Sequence, residues 1–136
     1  MRLPGIPIIG VLVLVVSCTV VDESLSGTSW TLAALGPVSA PQPALEGSGA
    51  ALSFSEEGNE VTEDTGCNSY WGSYEADGES FTIAELSWHE RGCPSDGLFQ
   101  QESAMIDILV GAHRYSSSDS RLTIESADGR ALVFKR

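Results

Sequence analysis

The chain has 136 residues, 19 acidic and 7 basic, for a formal net charge of −12. That length holds one domain and little more, and at 42% apolar and 19% charged residues it can bury a core. The balance excludes nucleic acid, because phosphate binding needs clustered Lys and Arg and only Lys135 and Arg136 adjoin; docking on anionic lipid by charge alone is excluded too.

Arg2 is the sole charge before Asp22, and Ile6 to Val16 is an apolar run of eleven residues. A bilayer-spanning helix needs about 20 apolar residues, so the run suits a signal-peptide core. It ends in Val15-Val16-Ser17-Cys18, which resembles a bacterial lipobox. The resemblance implies a diacylglycerol on Cys18 and cleavage just before it. The other readings are an ordinary signal peptide with an incidental Cys, or an uncleaved anchor. The expected organisation is a signal peptide over 1–17, a lipidated tether over 18–27 and a folded domain over 28–136. Membrane attachment then runs through the acyl chains on Cys18, at roughly 0.8 kcal/mol per buried CH₂. The protein is expected in the cell envelope, facing away from the cytoplasm. Thr19 after the Cys is not the Asp of an inner-membrane retention signal, which favours the outer membrane if the envelope is Gram-negative.

Trp30, Leu32 and Ala34 alternate with Thr31 and Ala33 and predict a first strand. Gly36 to Gly49 has three prolines and no periodicity, and reads as a long loop. Ala51 to Ser55 alternates, Glu56 to Asn59 is a turn, and Glu60 to Thr65 is a polar strand candidate. Tyr70 to Glu75 and Phe81 to Ile83 flank Ala76-Asp77-Gly78-Glu79, a hairpin turn in which Asp-Gly supplies positive φ. Leu98, Phe99, Ala104, Met105, Ile108, Leu109 and Ala112 fall at helical spacing and predict one amphipathic helix, with Ser95 or Asp96 as cap and Gly111 at its end. Leu122 to Glu125 and Leu132 to Phe134 form a second hairpin around Ala127-Asp128-Gly129-Arg130. Seven or eight strands and one helix predict a mainly β fold, a curved antiparallel sheet or small barrel-like roll.

These elements resemble the META domain family of HslJ-like bacterial heat-shock lipoproteins. The matching pieces are Trp30-Thr31-Leu32, then Gly66-Cys67-Asn68 with Gly72-x-Tyr74, then Cys93 before Gln100-Gln101-Glu102, and finally Leu122-Thr123-Ile124. The resemblance covers roughly Leu25 to Arg136. It departs before the second Cys, where Ser87-Trp88-His89-Glu90-Arg91-Gly92 replaces the Thr-x-Met-x pattern of many relatives. It implies a barrel-like β sheet with one helix, a link to stress and antibiotic tolerance, and no catalytic motif to carry over.

With Cys18 assigned to lipid, Cys67 and Cys93 remain. In an oxidising envelope their default is a disulfide, with free buried thiols or a redox-active pair as the alternatives. No cofactor motif is present. His89 and Cys93 offer two metal ligands without the further pair that zinc wants, and His113 has no partner spacing, so no metal site is read. Glu56, Glu57, Glu60, Glu63 and Asp64 lack a calcium-loop pattern and read as a solvated acidic face. No nucleophile elbow or paired-carboxylate context exists, so the chain reads as non-enzymatic. Trp30 is expected in the core. Tyr70, Trp71, Trp88 and His89 form the candidate binding surface, because aromatics with one wet end favour recognition; core packing is the other reading for Trp71 and Trp88, and alternation points Tyr70 and Tyr74 one way and Trp71 the other. The expected role is a binding or envelope-stress maintenance module with an envelope protein as partner. Its rivals are an enzyme inhibitor acting through loop 36–49 or 88–97, and a small-ligand carrier that uses a barrel cavity.

Overall fold

The computed structural model describes residue 10, residues 12–14 and residues 25–136. The expected lipidation site Cys18 lies outside the described residues, as do most of the expected signal peptide and residues 18–24 of the tether. No helix among the described residues is long and apolar enough to cross a membrane.

In chain order the elements are β1 (Ser29–Pro37), β2 (Gln42–Pro43), β3 (Ala51–Phe54), β4 (Glu60–Asp64), β5 (Ser69–Asp77), β6 (Ser80–His89), α1 (Asp96–Val110), β7 (Ala112–Ser117), β8 (Arg121–Ser126) and β9 (Arg130–Lys135). The strands form one antiparallel sheet in the order β2-β1-β3-β4-β5-β6-β7-β8-β9, and β1 also pairs with β9, so the sheet closes into a ring. Its thinnest seam is β6–β7, joined by the single register pair Ser80↔Arg114.

Alternation drives this closure, since every second residue must leave water. Trp30 and Leu32 of β1, Leu52 and Phe54 of β3, and Leu122 and Ile124 of β8 all point inward and are buried. Phe54, Tyr74, Phe81 and Tyr115 meet ring to ring, with centroids between 4.7 and 6.3 Å apart. Met105, Ile108 and Leu109 of α1 complete the same core, which fills the ring with side chains. Burying each such large apolar side chain contributes about 1.5–3 kcal/mol. Ser95 caps α1, its hydroxyl accepting from the Leu98 amide at 3.2 Å, and Gly111 ends it.

Four features depart from the sequence reading. Phe81 to Ile83 is only the start of a ten-residue strand that carries Trp88 and His89. Ala112 does not continue the helix but opens β7, a strand whose sparse apolar residues hid it. Segment 36–49 is not a free loop, because β2 folds back on β1 and the Leu45 amide donates to Gln101 Oε1 at 2.7 Å. Phe99 lies exposed at 59%, whereas Gln101 and Glu102 are the buried positions of the helix's first half.

Candidate functional site

The register of three strands sorts the predicted surface residues. Glu63 of β4 opposes Tyr70 of β5, which opposes Trp88 of β6. Directly opposed residues share a face, and Val61 and Glu63 are the buried, inward residues of β4. Tyr70 and Trp88 therefore stand on the inward row, their rings 6.5 Å apart. Trp71 opposes Thr62 and Ser87, and His89 opposes Ser69, so both lie on the outer face. The four residues thus form two surfaces, not one. Trp88, at the end of its row, is 63% exposed, and Trp71 is 42% exposed.

A bulge separates the two halves of the β5–β6 pair. Trp71 opposes Ser87 but Ser73 opposes Ala84, which leaves Glu85 and Leu86 against Gly72. Glu85 takes φ +58°, strained for a side chain larger than Gly. Gly72 is required because a Cβ there would lie 2.7 Å from the Ala84 carbonyl oxygen. On the outer face beside the bulge, a groove of about 590 Å³ is lined by Glu57, Glu60, Trp71, Ser73, Glu85 and Ser87.

Behind Tyr70 lies a buried polar cluster that the sequence did not reveal as a unit. Glu102 of α1 is its hub. Its Oε1 accepts from the Asn68 amide nitrogen at 2.8 Å, the Thr65 hydroxyl at 2.9 Å and the Tyr70 hydroxyl at 3.1 Å. The Thr65 hydroxyl also lies 3.1 Å from the Asn68 carbonyl, but that carbonyl already accepts from the Thr65 amide. Its one proton goes to the charged acceptor, which binds it more strongly. The Thr65 hydroxyl oxygen in turn accepts from the backbone amides of Cys67 and Asn68, closing the turn between β4 and β5.

Three ties fasten segment 88–97 to this turn. Cys67 and Cys93 form a disulfide, with Cα atoms 4.5 Å apart. Asn68 Oδ1 accepts from the Arg91 and Gly92 amides at 2.6 and 3.0 Å. Arg91 pairs with Asp64 at 3.2 Å, an exposed pair that contributes little. The bond agrees with the default reading of the two cysteines as a disulfide rather than free thiols. The Gly66-Cys67-Asn68 block and Glu102 are thus the two halves of one structural lock beneath Trp88.

Glu63 corrects the reading of a solvated acidic face, because it is 1% exposed. Both of its carboxyl oxygens are buried without a hydrogen-bond partner among the described residues. Burial, and then the negative charge of Glu102, push its pKa up to about 8. Burial, the Glu102 charge and the hydrogen bond to it push Tyr70 up to about 12. The signal for Glu63 was present in its two-residue spacing from Val61. The signal for Glu102 was its place one helical turn before Met105 and two before Leu109, but a polar residue there is invisible to an apolar-face count. Cys67, Cys93 and Glu102 offer ligand atoms within 4.8 Å of one another. His89 and His113 are exposed and take no part.

A profile of the META domain matches residues 23–136. No curated protein matches. Among solved structures, the chain is similar to a protein from Burkholderia xenovorans solved by NMR, with TM-score 0.70, 23% identity and coverage of 82% of this chain and 83% of that one. A second NMR structure matches with TM-score 0.61 and 18% identity over 79% of this chain and 86% of that one. A crystal structure of a DUF4847 family protein from Bacteroides vulgatus matches with TM-score 0.60 and 13% identity, over 83% of this chain and 94% of that one. At these identities the likeness is one of fold.

Proposed function

The chain belongs to the META domain family, and from that premise we propose a lipid-anchored, non-catalytic binding module of the cell envelope. The anchor rests on the apolar run before Cys18. The observation that carries the binding reading is Trp88, a large aromatic left 63% exposed above a locked base. Tyr70 stands beside its ring, and the Tyr70 hydroxyl is held by Glu102. An aromatic held rigid before binding loses little entropy on contact, which makes it a suitable anchor for a partner protein. The non-catalytic reading is supported by the position of the coupled carboxylates. Glu63 and Glu102 are 1% and 5% exposed, so no glycoside-sized substrate reaches them.

The inhibitor reading is the alternative, and segment 88–97 is the one that suits it, because its residues are mostly exposed and tied at the base. Segment 36–49 is held down by β2 and Gln101. The carrier reading has little support, since the ring is filled by Trp30, Phe81, Phe134 and their neighbours.

The test is photo-crosslinking in whole cells from position 88 and, separately, from position 71. A specific adduct from 88 that Trp88→Ala abolishes in a crosslinker-free pull-down supports the reading. Capture that survives Trp88→Ala, or adducts from 71 alone, overturns it. Intact mass of membrane-extracted protein tests the anchor: a chain that begins at Cys18 with acyl mass supports it, and an unmodified Cys18 refutes it.

A further inference from the structure

The interior beside the disulfide is short of positive charge. Glu102 Oε2 has one neighbour in hydrogen-bond range among the described residues, Cys93 Sγ at 3.3 Å, and a disulfide sulfur has no proton to give. Among the described residues, Glu63 Oε1 and Oε2 are likewise buried without a donor. No basic side chain is buried among the described residues, and Arg91 is turned to Asp64 on the surface. Buried carboxylates are ordinarily paired or bound to a metal. Here Glu102 Oε2 lies against Cys93 Sγ, and a Glu102 carboxylate oxygen and both sulfurs fall within 4.8 Å of one another.

We propose that, once the Cys67–Cys93 bond is reduced, Cys67 Sγ, Cys93 Sγ and Glu102 Oε2 form a binding site for a thiophilic divalent cation such as Zn²⁺. This goes beyond the partner-binding role and does not depend on it. The three ligand atoms already lie within 4.8 Å of one another. Tetrahedral zinc, with bonds of about 2.3 Å to sulfur and about 2.0–2.2 Å to oxygen, wants its ligands about 3.3–3.8 Å apart. Breaking the S–S bond lets the sulfurs separate to that spacing. Cys93 lies in the irregular segment 90–95, where rotation of its side chain moves Sγ away from Cys67 while the Arg91 and Gly92 amides stay on Asn68 Oδ1. Glu102 is already aimed, since three donors hold its other oxygen. These donors are the outer shell that orients a metal-binding carboxylate. Water takes the fourth position.

The chemistry balances. A dithiol reductant of the envelope passes two electrons and two protons to the disulfide and becomes a disulfide itself. The cation then displaces both thiol protons to solvent, and two thiolates and one carboxylate face its double charge. In the oxidised chain the sulfurs are not thiolates and the site is closed. The site therefore responds jointly to redox state and to metal.

The experiment is zinc titration of the full chain against a chromophoric chelator. The chain is oxidised or reduced with a phosphine, and circular dichroism reports the fold of each form. The reduced chain is expected to bind one Zn²⁺ at least about a hundredfold more tightly than the oxidised chain. Glu102→Gln should weaken binding by about 10- to 100-fold in the reduced form, and the Cys67→Ser/Cys93→Ser double variant should abolish it. Equal affinity in both redox states overturns the proposal. Equal affinity of Glu102→Gln and the wild type also overturns it, because two thiols on a loosened chain would then account for the binding.

Discussion

Glu63 is buried with a pKa near 8 against an ordinary value of 4.5, which makes folding depend on pH in a defined direction. The folded chain keeps a proton that the unfolded chain has released between those values. The stability this proton confers is fully present below pH 4.5 and is lost as pH rises through about 8. The slope is about 1.4 kcal/mol per pH unit, and the whole loss is on the order of 5 kcal/mol. Glu63→Gln has nearly the same shape and cannot ionise. At pH 5 it should match the wild type within about 1 kcal/mol, since carboxylic acid and amide both lack partners there. At pH 9 it should be the more stable protein by several kcal/mol. Urea unfolding of both proteins from pH 5 to pH 9 measures this directly. Glu102 and Tyr70, the titratable groups coupled to Glu63, are common to both proteins and largely cancel in the comparison. Parallel stability curves for the two proteins would refute the reasoning.

Asn68→Ala leaves the Arg91 and Gly92 amides without their acceptor and should destabilise by about 1–3 kcal/mol; hydrogen exchange should show those two amides losing protection first. Gly72→Ala places a Cβ against the Ala84 carbonyl, and thermal unfolding should report a loss of about 1–3 kcal/mol. Reducing the disulfide frees a loop with a separation of 26 residues, which should lower stability by about 3 kcal/mol as read by denaturant midpoint with and without reductant. Trp88→Ala should leave stability within about 0.5 kcal/mol by the same assay, because the side chain is mostly exposed.

Much of the fold was legible in the chain because alternation and turn chemistry are local signals. Trp30 and Leu32, Leu52 and Phe54, and Leu122 and Ile124 announced three inward-facing strands. Gly78, at φ +60° between Asp77 and Ser80, and Gly129, at φ +86°, did the same for two hairpins. The pairing of Cys67 with Cys93 is expected once Cys18 is set aside for lipid and the chain is placed in an oxidising envelope, and the bond is present. The family followed from Gly66-Cys67-Asn68 and its neighbours, whose residue types are dictated by one short turn.

Other features depend on which residues meet across the ring, and local pattern has no access to that. Trp71 and Trp88 read as one aromatic surface until the bulge at Gly72 and the register of β5 on β6 put them on opposite faces. Glu63 sits in an acidic run that any composition count assigns to solvent. It is buried because alternation along β4 points it inward with Val61, opposite Tyr70 of β5. Glu102 becomes the hub of the cluster because α1 brings it to a turn that precedes it by more than thirty residues. Strand order, register and helix placement minimise the exposed apolar area of the whole chain at once. Their consequences for single polar side chains appear only when the ring is closed.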